Sequence, residues 1–413
     1  MLRNYLRMDA VILAAGEGTR LRPLTVTRPK PMLPVAGKPI LEWDLESLSK
    51  IGLKNVYIVI GYRKEKIIEH FGKKFNNLRI EYIEQMEQLG TAHAVSMVKD
   101  RVDDEFIVIN GDLIISDEFI DNLLKKHGEF DADLSISLVR VNNPSEFGIV
   151  KLDGNHVKDI VEKPGESIGN LANAGVYVFN KKIFDAIDEI ERSKRMEYEI
   201  TDAIRILIKR QRVHGFLCDG RWIDVGRPWD LLDANEIMLK ELDLRAHGDI
   251  EIEENATIKG GVHIGKGTVI RAGSYIEGPC YIGENCSIGP NCYIRPYSMI
   301  QNDVRIGNCV EIKNSIIMSK TNICHLSYVG DSIIGENCNF GAGTKIANLR
   351  IDGQDVRIEI RNKLTSSGRK KFGCLMGDNV KTGINVSIMP GRAIYPNAYV
   401  EAGSVVRNTI YSE

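Results

Sequence analysis

Residues 276–300 read IEGPCYIGENCSIGPNCYIRPYSMI, with isoleucine at every sixth position: Ile276, Ile282, Ile288, Ile294 and Ile300. The phase extends outward to Ile270, Ile264, Ile258 and Ile252 on one side and to Ile306 and Ile312 on the other. Four residues after each of the first ten isoleucines stands a small or β-branched residue: Ala256, Val262, Thr268, Ser274, Cys280, Cys286, Cys292, Ser298, Val304 and Val310. A hexapeptide period of this kind is the signature of a parallel β-helix, in which one flat side of a triangular coil takes one hexapeptide. The isoleucines are expected to stack inward, with the small residue in the tight position beside them. The spacing of Cys280, Cys286 and Cys292 then reflects packing and not metal ligation.

After Ile312 the phase slips. It resumes at Ile334, Phe340 and Ile346, then at Met376, Ile388, Ile394, Val400 and Val406. Ile346 and Met376 share one phase, so residues 347–375 are expected to form a loop projecting from an otherwise continuous coil. That loop holds VRIEI at 356–360 and the basic cluster Arg369, Lys370, Lys371. Long insertions in repeat proteins collect on one face, often the binding face. Flat-sided coils usually associate, and a homotrimer is expected by analogy with the fold.

Ahead of the repeat, strand and helix signals alternate. Ala10–Ala15 is a short apolar run that ends at Gly16, as a buried parallel strand does. Pro39 opens a helical stretch with Leu41, Leu45 and Leu48 on one face and Gly52 as its stop. Further strands read at Val56–Ile60, Ile80–Ile83 and Phe106–Asn110, and residues 133–179 are richer in strand. Pro228–Leu244 reads as a helix. The pattern predicts an α/β, mostly parallel sheet that binds ligands at its strand carboxyl ends.

The chain has 413 residues, more than one ordinary core holds, so two domains are expected. Its 43% hydrophobic and 27% charged residues fit a soluble globular protein. A net charge of −2 gives no basic excess for nucleic acid, and no apolar run is long enough to cross a bilayer. Met1–Asp9 lacks the apolar core of a signal peptide, and residues 1–7 read as an extension or an upstream start. Eight cysteines without a C-x-x-C pair point to a reduced, cytoplasmic protein.

After the first strand come Gly16-Glu-Gly18-Thr19-Arg20 and Arg28-Pro-Lys30-Pro-Met-Leu-Pro34. Glycines let backbone N–H groups approach phosphates, and Arg20 and Lys30 add positive charge. In order along the chain follow Gln85–Thr91 (QMEQLGT), Asn110-Gly-Asp112, Glu162-Lys163-Pro164, Asn173-Ala-Gly175 and Trp222-Ile-Asp224-Val-Gly226. Together these strings resemble the sugar-1-phosphate nucleotidylyltransferases, a Rossmann-like family. The resemblance implies nucleotide binding by Ala14, Ala15, Gly16, Gly18, Thr19, Gln85, Gln88, Gly90 and Thr91. It implies sugar-phosphate binding by Gly148, Glu162, Lys163 and Asn173, Mg²⁺ on Asp112 and Asp224, and catalytic roles for Arg20 and Lys30. An amide such as Gln85 both donates and accepts, as the edge of uracil or thymine requires. The sugar phosphate would attack the α-phosphorus of UTP or dTTP and release pyrophosphate, a reaction that needs charge neutralisation more than a strong base.

In the repeat stand His325-Leu-Ser-Tyr328-Val-Gly-Asp331, Asn337-Cys-Asn339-Phe-Gly-Ala342-Gly343 and Ala347-Asn348-Leu349. These resemble the acetyltransferase site of the bifunctional uridylyltransferase/glucosamine-1-phosphate acetyltransferases, whose C-terminal domain is a left-handed β-helix. The resemblance implies acetyl-CoA as donor, His325 as the base for the amine, and substrate contacts from Tyr328, Asn339, Asn348 and Lys371. It also implies a backbone donor at Ala342 and Arg407 near the coenzyme. Two departures are visible: Leu349 stands where that family has tyrosine, and the stretch before Lys371 is longer.

The expected organisation is a nucleotidyltransferase domain over 1–227, a linker helix over 228–249 and an acetyltransferase β-helix over 250–413. The expected product is UDP-N-acetylglucosamine, with glucosamine or galactosamine 1-phosphate as acetyl acceptor. Two other readings are open at this point. One is a monofunctional glucose-1-phosphate thymidylyltransferase with a structural β-helix; the other is a regulatory subunit that binds nucleotide sugars without turnover.

Overall fold

The computed structural model describes residues 8–166, 168–242 and 248–411 and forms two compact units. One runs up to Glu17 and includes Pro29–Met32 and Ile40–Asp224; the other comprises Gly18–Arg28, Leu33–Pro39 and the chain from Val225 onward. The readings for residues 1–7 and for the end of the helix at Leu244 lie outside the described residues.

The first unit is built on a sheet whose centre follows from its apolar runs. Its strands are β1 (Asp9–Ala14), β2 (Asn55–Ile60), β3 (Leu78–Glu84), β4 (Glu105–Asn110), β6 (Leu134–Arg140), β7 (Gly148–Asp153), β8 (His156–Glu162), β9 (Leu171–Asn180) and β10 (Val213–Leu217). Their order is β7-β8-β10-β6-β9-β4-β1-β2-β3, with the short strand Lys74–Phe75 at the edge. A separate pair joins β5 (Leu113–Ile115) to β11 (Trp222–Asp224). β1 lies parallel between β2 and β4, with Ala14 opposite Ile60 and Leu13 opposite Asn110. Both faces of β1 are buried: Ala10, Ile12 and Ala14 pack with Leu41, Leu45 and Leu48 of α1 (Ile40–Lys50), while Val11 faces Ala92, Val95 and Val108. Apolar side chains on both faces make a three-layer sandwich, which brings the carboxyl ends of β1, β2, β3 and β4 to one edge.

The second unit follows from the hexapeptide ladder. Three parallel sheets of eight, eight and seven strands take successive strands in rotation, so each strand pairs with the third one on. Ile264, Ile282 and Ile300 continue one row, and Ile276, Ile294 and Ile312 another. The inward residues form one continuous core that also holds Cys280, Cys286 and Cys292, all free thiols. Burial pushes the Cys280 thiol up to about 12 and the Cys286 thiol up to about 11, so neither is poised for chemistry. Two details depart from the sequence reading. Ile252 is exposed: it pairs with Ile270 and, among the described residues, has no coil on its other side. The slip after Ile312 does not interrupt the ladder: Ile317, Ile323 and Val329 continue it. Those coils advance 17 residues, as Ile300 to Ile317, where earlier ones advance 18, as Ile282 to Ile300. One residue is lost at each of two corners, where Asn314 (φ 42°) and Asp331 (φ 50°) turn the chain in the left-handed region that Asn and Asp tolerate.

The inserted segment is not a projecting loop. Arg357–Ile360 and Lys363–Ser366 pair as an antiparallel ribbon, with Leu349 opposite Lys371 at its base. Val356 and Ile358 are fully buried, and Glu359 accepts hydrogen bonds from Thr409 Oγ1 (2.5 Å) and Tyr411 Oη (3.1 Å). Apolar residues alternating with polar ones along 356–360 give the ribbon a buried face, and that face lies against the last coils.

Segments 18–28 and 33–39, expected with the first domain, pack with the second unit because their polar groups find partners there. Arg28 pairs with Asp378 (2.5 Å) and Glu336 (2.6 Å), and Thr27 donates to Asp378 (2.6 Å). Ala36 N–H donates to the buried Asn235 of the helix Pro228–Glu241 (3.0 Å), and Asn235 donates onward to Tyr297 O (2.9 Å). Arg28 and Asp378 are both nearly buried. Removing one partner of such a pair strands the other charge, so Asp378→Ala is expected to cost about 3–5 kcal/mol in chemical denaturation. A loss below about 1 kcal/mol would show the pair to be solvated.

Candidate functional site

The loops at the carboxyl edge of the first unit carry most of the residues singled out from sequence. Ala14 ends β1, and Ala15 and Gly16 follow it; Gln85 follows β3; Gly111 and Asp112 follow β4. The crossing is tight. Ala15 O accepts from Tyr62 N, Leu13 O accepts from Gly111 N, and a Cβ at Gly111 would meet Leu13 O at 2.6 Å. Asp224 closes β11 opposite Leu113, which places it in register beside the residue that follows Asp112. Lys30, nearly buried in the single turn Lys30–Met32, sets its ammonium 2.8 Å from Asp112 Oδ2. The edge thus joins two carboxylates and one lysine. Mg²⁺ commonly takes one or two protein carboxylates and completes its shell with water and substrate phosphate, which this donor set suits.

The sugar-side residues also come together. Gly148 leaves room for Glu162, since a Cβ there would meet Glu162 Oε2 at 2.9 Å and Asn173 Cβ at 3.9 Å. Asn173 donates to Tyr177 Oη (2.7 Å) and accepts from Gly175 N (3.1 Å), across an irregularity in the pairing of β9 with β6. The Trp222 indole donates to Ala174 O (2.8 Å), which ties this segment to β11 and Asp224. Lys163 is exposed with φ 46° and donates its N–H to Phe147 O.

On the base side, Gln85 is buried with its Nε2 2.8 Å from His93 Nδ1. Gln88 is exposed. Gly90 (φ 112°) passes so close to Tyr198 that a Cβ would meet its carbonyl at 2.5 Å. The Thr91 hydroxyl accepts the Ile200 N–H (3.0 Å), which satisfies the start of the helix Ile200–Ile208. Gly18, Thr19 and Arg20 belong to the second unit, where Thr25 Oγ1 donates to Gly18 O (2.9 Å).

Sequence reading missed Asp44. It is fully buried on α1, and its Oδ1 accepts the Ile115 N–H (3.2 Å) while Ser47 Oγ donates to Ile115 O (2.7 Å). One helix thereby grips both backbone groups of the last residue of β5. Burial pushes the Asp44 carboxyl well above the usual range; the Ile115 N–H opposes this, the Asp112 charge adds to it, and Arg221 opposes it. The folded state favours the neutral acid, so its contribution is full in acid and is lost as pH rises through the raised folded value. Asp44→Asn is neutral throughout. It is expected to raise Tm at pH 7 by an amount that shrinks towards pH 4; a pH-independent effect would contradict this.

In the second unit, Tyr328, Asn348 and Asp331 form one cluster. Asn348 Nδ2 donates to Tyr328 Oη (3.1 Å) and to Asp331 Oδ2 (2.5 Å). Buried Asp331 also takes Lys313 Nζ (2.9 Å) and Asn314 Nδ2 (2.9 Å). Burial and the charges of Asp331 and Glu311 raise the Tyr328 phenol, while Asn348 and Arg295 oppose the rise, so it stays neutral. Lys313 and Asp331 were not assigned from sequence. The signal was the coil length, since Lys313 lies directly opposite Gly330 in the ladder. Lys371, paired with Leu349, is exposed next to this cluster, and Phe372 N–H donates to Asn348 O. His325 is exposed at the corner just before Tyr328, at the end of the strand Asn322–His325. Gly343 N–H donates to His325 O (3.1 Å) and Gly341 N–H to Thr382, so both neighbours of Ala342 are engaged. Asn339 lies on the sheet of His325 and not on that of Tyr328, and Arg407 is exposed just beyond the last strand, Val405–Val406.

Residues 9–241 match the profile described as nucleotidyl transferase, and residues 276–368 that described as GMPPB C-terminal domain. The chain is 48% identical to the bifunctional protein GlmU of Methanocaldococcus jannaschii over 98% of its own length and 96% of that protein. It is 41% identical to the bifunctional sugar-1-phosphate nucleotidylyltransferase/acetyltransferase of Sulfurisphaera tokodaii over 98% of each chain. The chain belongs to the bifunctional sugar-1-phosphate nucleotidylyltransferase/acetyltransferase family. Among solved structures, this family member resembles a putative glucose-1-phosphate thymidylyltransferase from Bacillus anthracis, with TM-score 0.53 and 28% identity over 58% of this chain and 97% of that one. It also resembles UDP-glucose pyrophosphorylase complexed with UDP-glucose, with TM-score 0.53 and 25% identity over 57% and 100%. Among the described residues no helix is long and apolar enough to cross a membrane.

Proposed function

We propose that the chain makes UDP-N-acetylglucosamine in two steps, N-acetylation of glucosamine 1-phosphate and then uridylyl transfer from UTP to the product. The observation that carries the first-unit assignment is the placement of Lys30 on Asp112, with Asp224 in register beside it. A phosphate oxygen of the sugar phosphate attacks the α-phosphorus of UTP, a new P–O bond forms, and the bond to pyrophosphate breaks. Mg²⁺ held by Asp112 and Asp224 would neutralise charge on the triphosphate as pyrophosphate leaves. Lys30 neutralises the same charge, and Lys163 with Glu162 and Asn173 orients the sugar phosphate. With His93 carrying its proton on Nε2, Gln85 Nε2 donates to it, and Gln85 Oε1 remains to accept the imide N–H of uracil.

We read the second unit as a left-handed parallel β-helix that performs the acetyl transfer. Lys313, Lys371 and Asn348 surround the position for an anionic aminosugar beside His325. His325 takes the ammonium proton, the free amine attacks the thioester carbonyl, the C–S bond breaks, and coenzyme A leaves as the thiol. The Ala342 N–H faces the developing oxyanion, and Arg407 the coenzyme phosphates. By resemblance to the family, Asn339 and Arg407 reach this site from a neighbouring copy in a homotrimer, and sedimentation should give three times the 46.2 kDa of the chain.

Free thiol release from acetyl-CoA tests the reading, with glucosamine 1-phosphate and galactosamine 1-phosphate compared. Release with an aminosugar phosphate, and with neither reagent alone, supports it. No release with either would leave the repeat unit as a scaffold.

A further inference from the structure

The first unit also carries a cleft that the two-step reading does not use. It opens where β2 and β3 begin, beside the short strand Lys74–Phe75, and so lies a strand's length, roughly 20 Å, from the carboxyl edge. Its volume of about 520 Å³ falls within the roughly 300–1,000 Å³ of small-ligand sites. Lys54, Lys73, Lys74 and Arg79 line it, and no carboxylate does. Among the described residues none of the four forms an ion pair. Glu81, two residues from Arg79 and on the same face of β3, is already taken by Arg101 (2.6 Å). The whole chain has a net charge of −2, so this concentration of positive charge is local.

The cleft is held in shape by its neighbours. Asn76 (φ 50°) and Asn77 make the two-residue turn that joins Phe75 to Leu78. Asn77 Nδ2 donates to Ser49 O and Leu53 O (both 3.2 Å), which ties the turn to the end of α1. Asn55, also in the lining, donates to the buried Asp9 (3.0 Å). Strand register then sets Arg79 directly opposite Lys74 on one side and Asn55 on the other. Like charges directly opposite across an antiparallel pair destabilise it, and an anion between Lys74 and Arg79 would relieve this. A cleft lined by one sign of charge focuses the field, and its ammonium and guanidinium groups make charge-assisted hydrogen bonds to phosphate. Leu78 is the lining's apolar residue, so a large apolar body has little to pack on. A phosphate group carries about −1.5 to −2 near pH 7, so two of them balance the four cations. We propose that this cleft binds a compact anion carrying two or more phosphate groups, at a site separate from the one that performs nucleotidyl transfer.

The test is calorimetry on the full-length protein with inorganic pyrophosphate in EDTA, so that no divalent ion assists binding at the carboxyl edge. Wild type is compared with Lys74→Gln/Arg79→Gln and with Lys30→Gln. Wild type and Lys30→Gln should both bind pyrophosphate at the cleft, and the double variant should lose roughly 100-fold in affinity there. Salt should weaken the binding. Lys74→Gln alone should raise the Tm of the ligand-free protein, by relieving the opposition to Arg79, and should shrink the rise in Tm that pyrophosphate gives. Wild type that takes up no pyrophosphate at millimolar concentration overturns the proposal. So does a loss of binding that follows Lys30→Gln and spares the double variant, because the anion would then sit at the carboxyl edge. Retention on RNA or on anionic vesicles without uptake of pyrophosphate overturns it as well, since the cleft would then serve a macromolecule.

Discussion

Asp112→Asn should lower pyrophosphate release on the order of a thousandfold and leave acetyl transfer intact. The side chain receives the Lys30 ammonium at 2.8 Å and lies one residue before the partner of Asp224 in the β5–β11 pair. Asparagine keeps the shape but removes the charge that would hold Mg²⁺. The nearly buried Lys30 then loses its anion as well, so kcat should fall more than UTP affinity. Excess Mg²⁺ should restore little, because the lost ligand is not replaced. A variant with wild-type pyrophosphate release would show that this edge is not where charge develops.

His325→Ala should lower acetyl transfer by roughly 10²- to 10⁴-fold, the range for loss of a general base, and leave pyrophosphate release unchanged. His325 is exposed at a corner of the ladder, where its carbonyl accepts from Gly343 N–H and Ser327 Oγ, so truncation of the side chain should leave the fold alone. The deprotonation it performs can be replaced by solution pH. The residual rate of the variant should climb with pH as the free-amine fraction of the aminosugar grows, so that the gap between variant and wild type narrows at high pH. Parallel profiles for the two proteins would remove His325 from the base role.

The ladder was legible because each coil contacts only its neighbours, so its period is written locally. Ile317, Ile323 and Val329 escaped the period for the same reason: two corners each drop one residue, and a strict six-residue count fails across them. The alternation at 356–360 was visible, but its partner Lys363–Ser366 is mostly polar and its turn is Arg-Asn, so nothing announced a hairpin. Strings such as Asn110-Gly-Asp112 gave their residues directly, since a strand end holds consecutive residues together. Arg28 gave no such signal. Its partner Asp378 lies 350 residues away, and only the folded chain brings them together. Asp44 was hidden for a related reason: in sequence it belongs to an amphipathic helix, and its partner Ile115 is contributed by another element.

Two separate sites that share a free intermediate should complement one another between protein molecules. Asp112→Asn protein is mixed with His325→Ala protein in glucosamine 1-phosphate, acetyl-CoA, UTP and Mg²⁺. The mixture should form UDP-N-acetylglucosamine while neither variant alone does so at a comparable rate. A mixture no better than either variant, although each retains its own partial reaction, would contradict this.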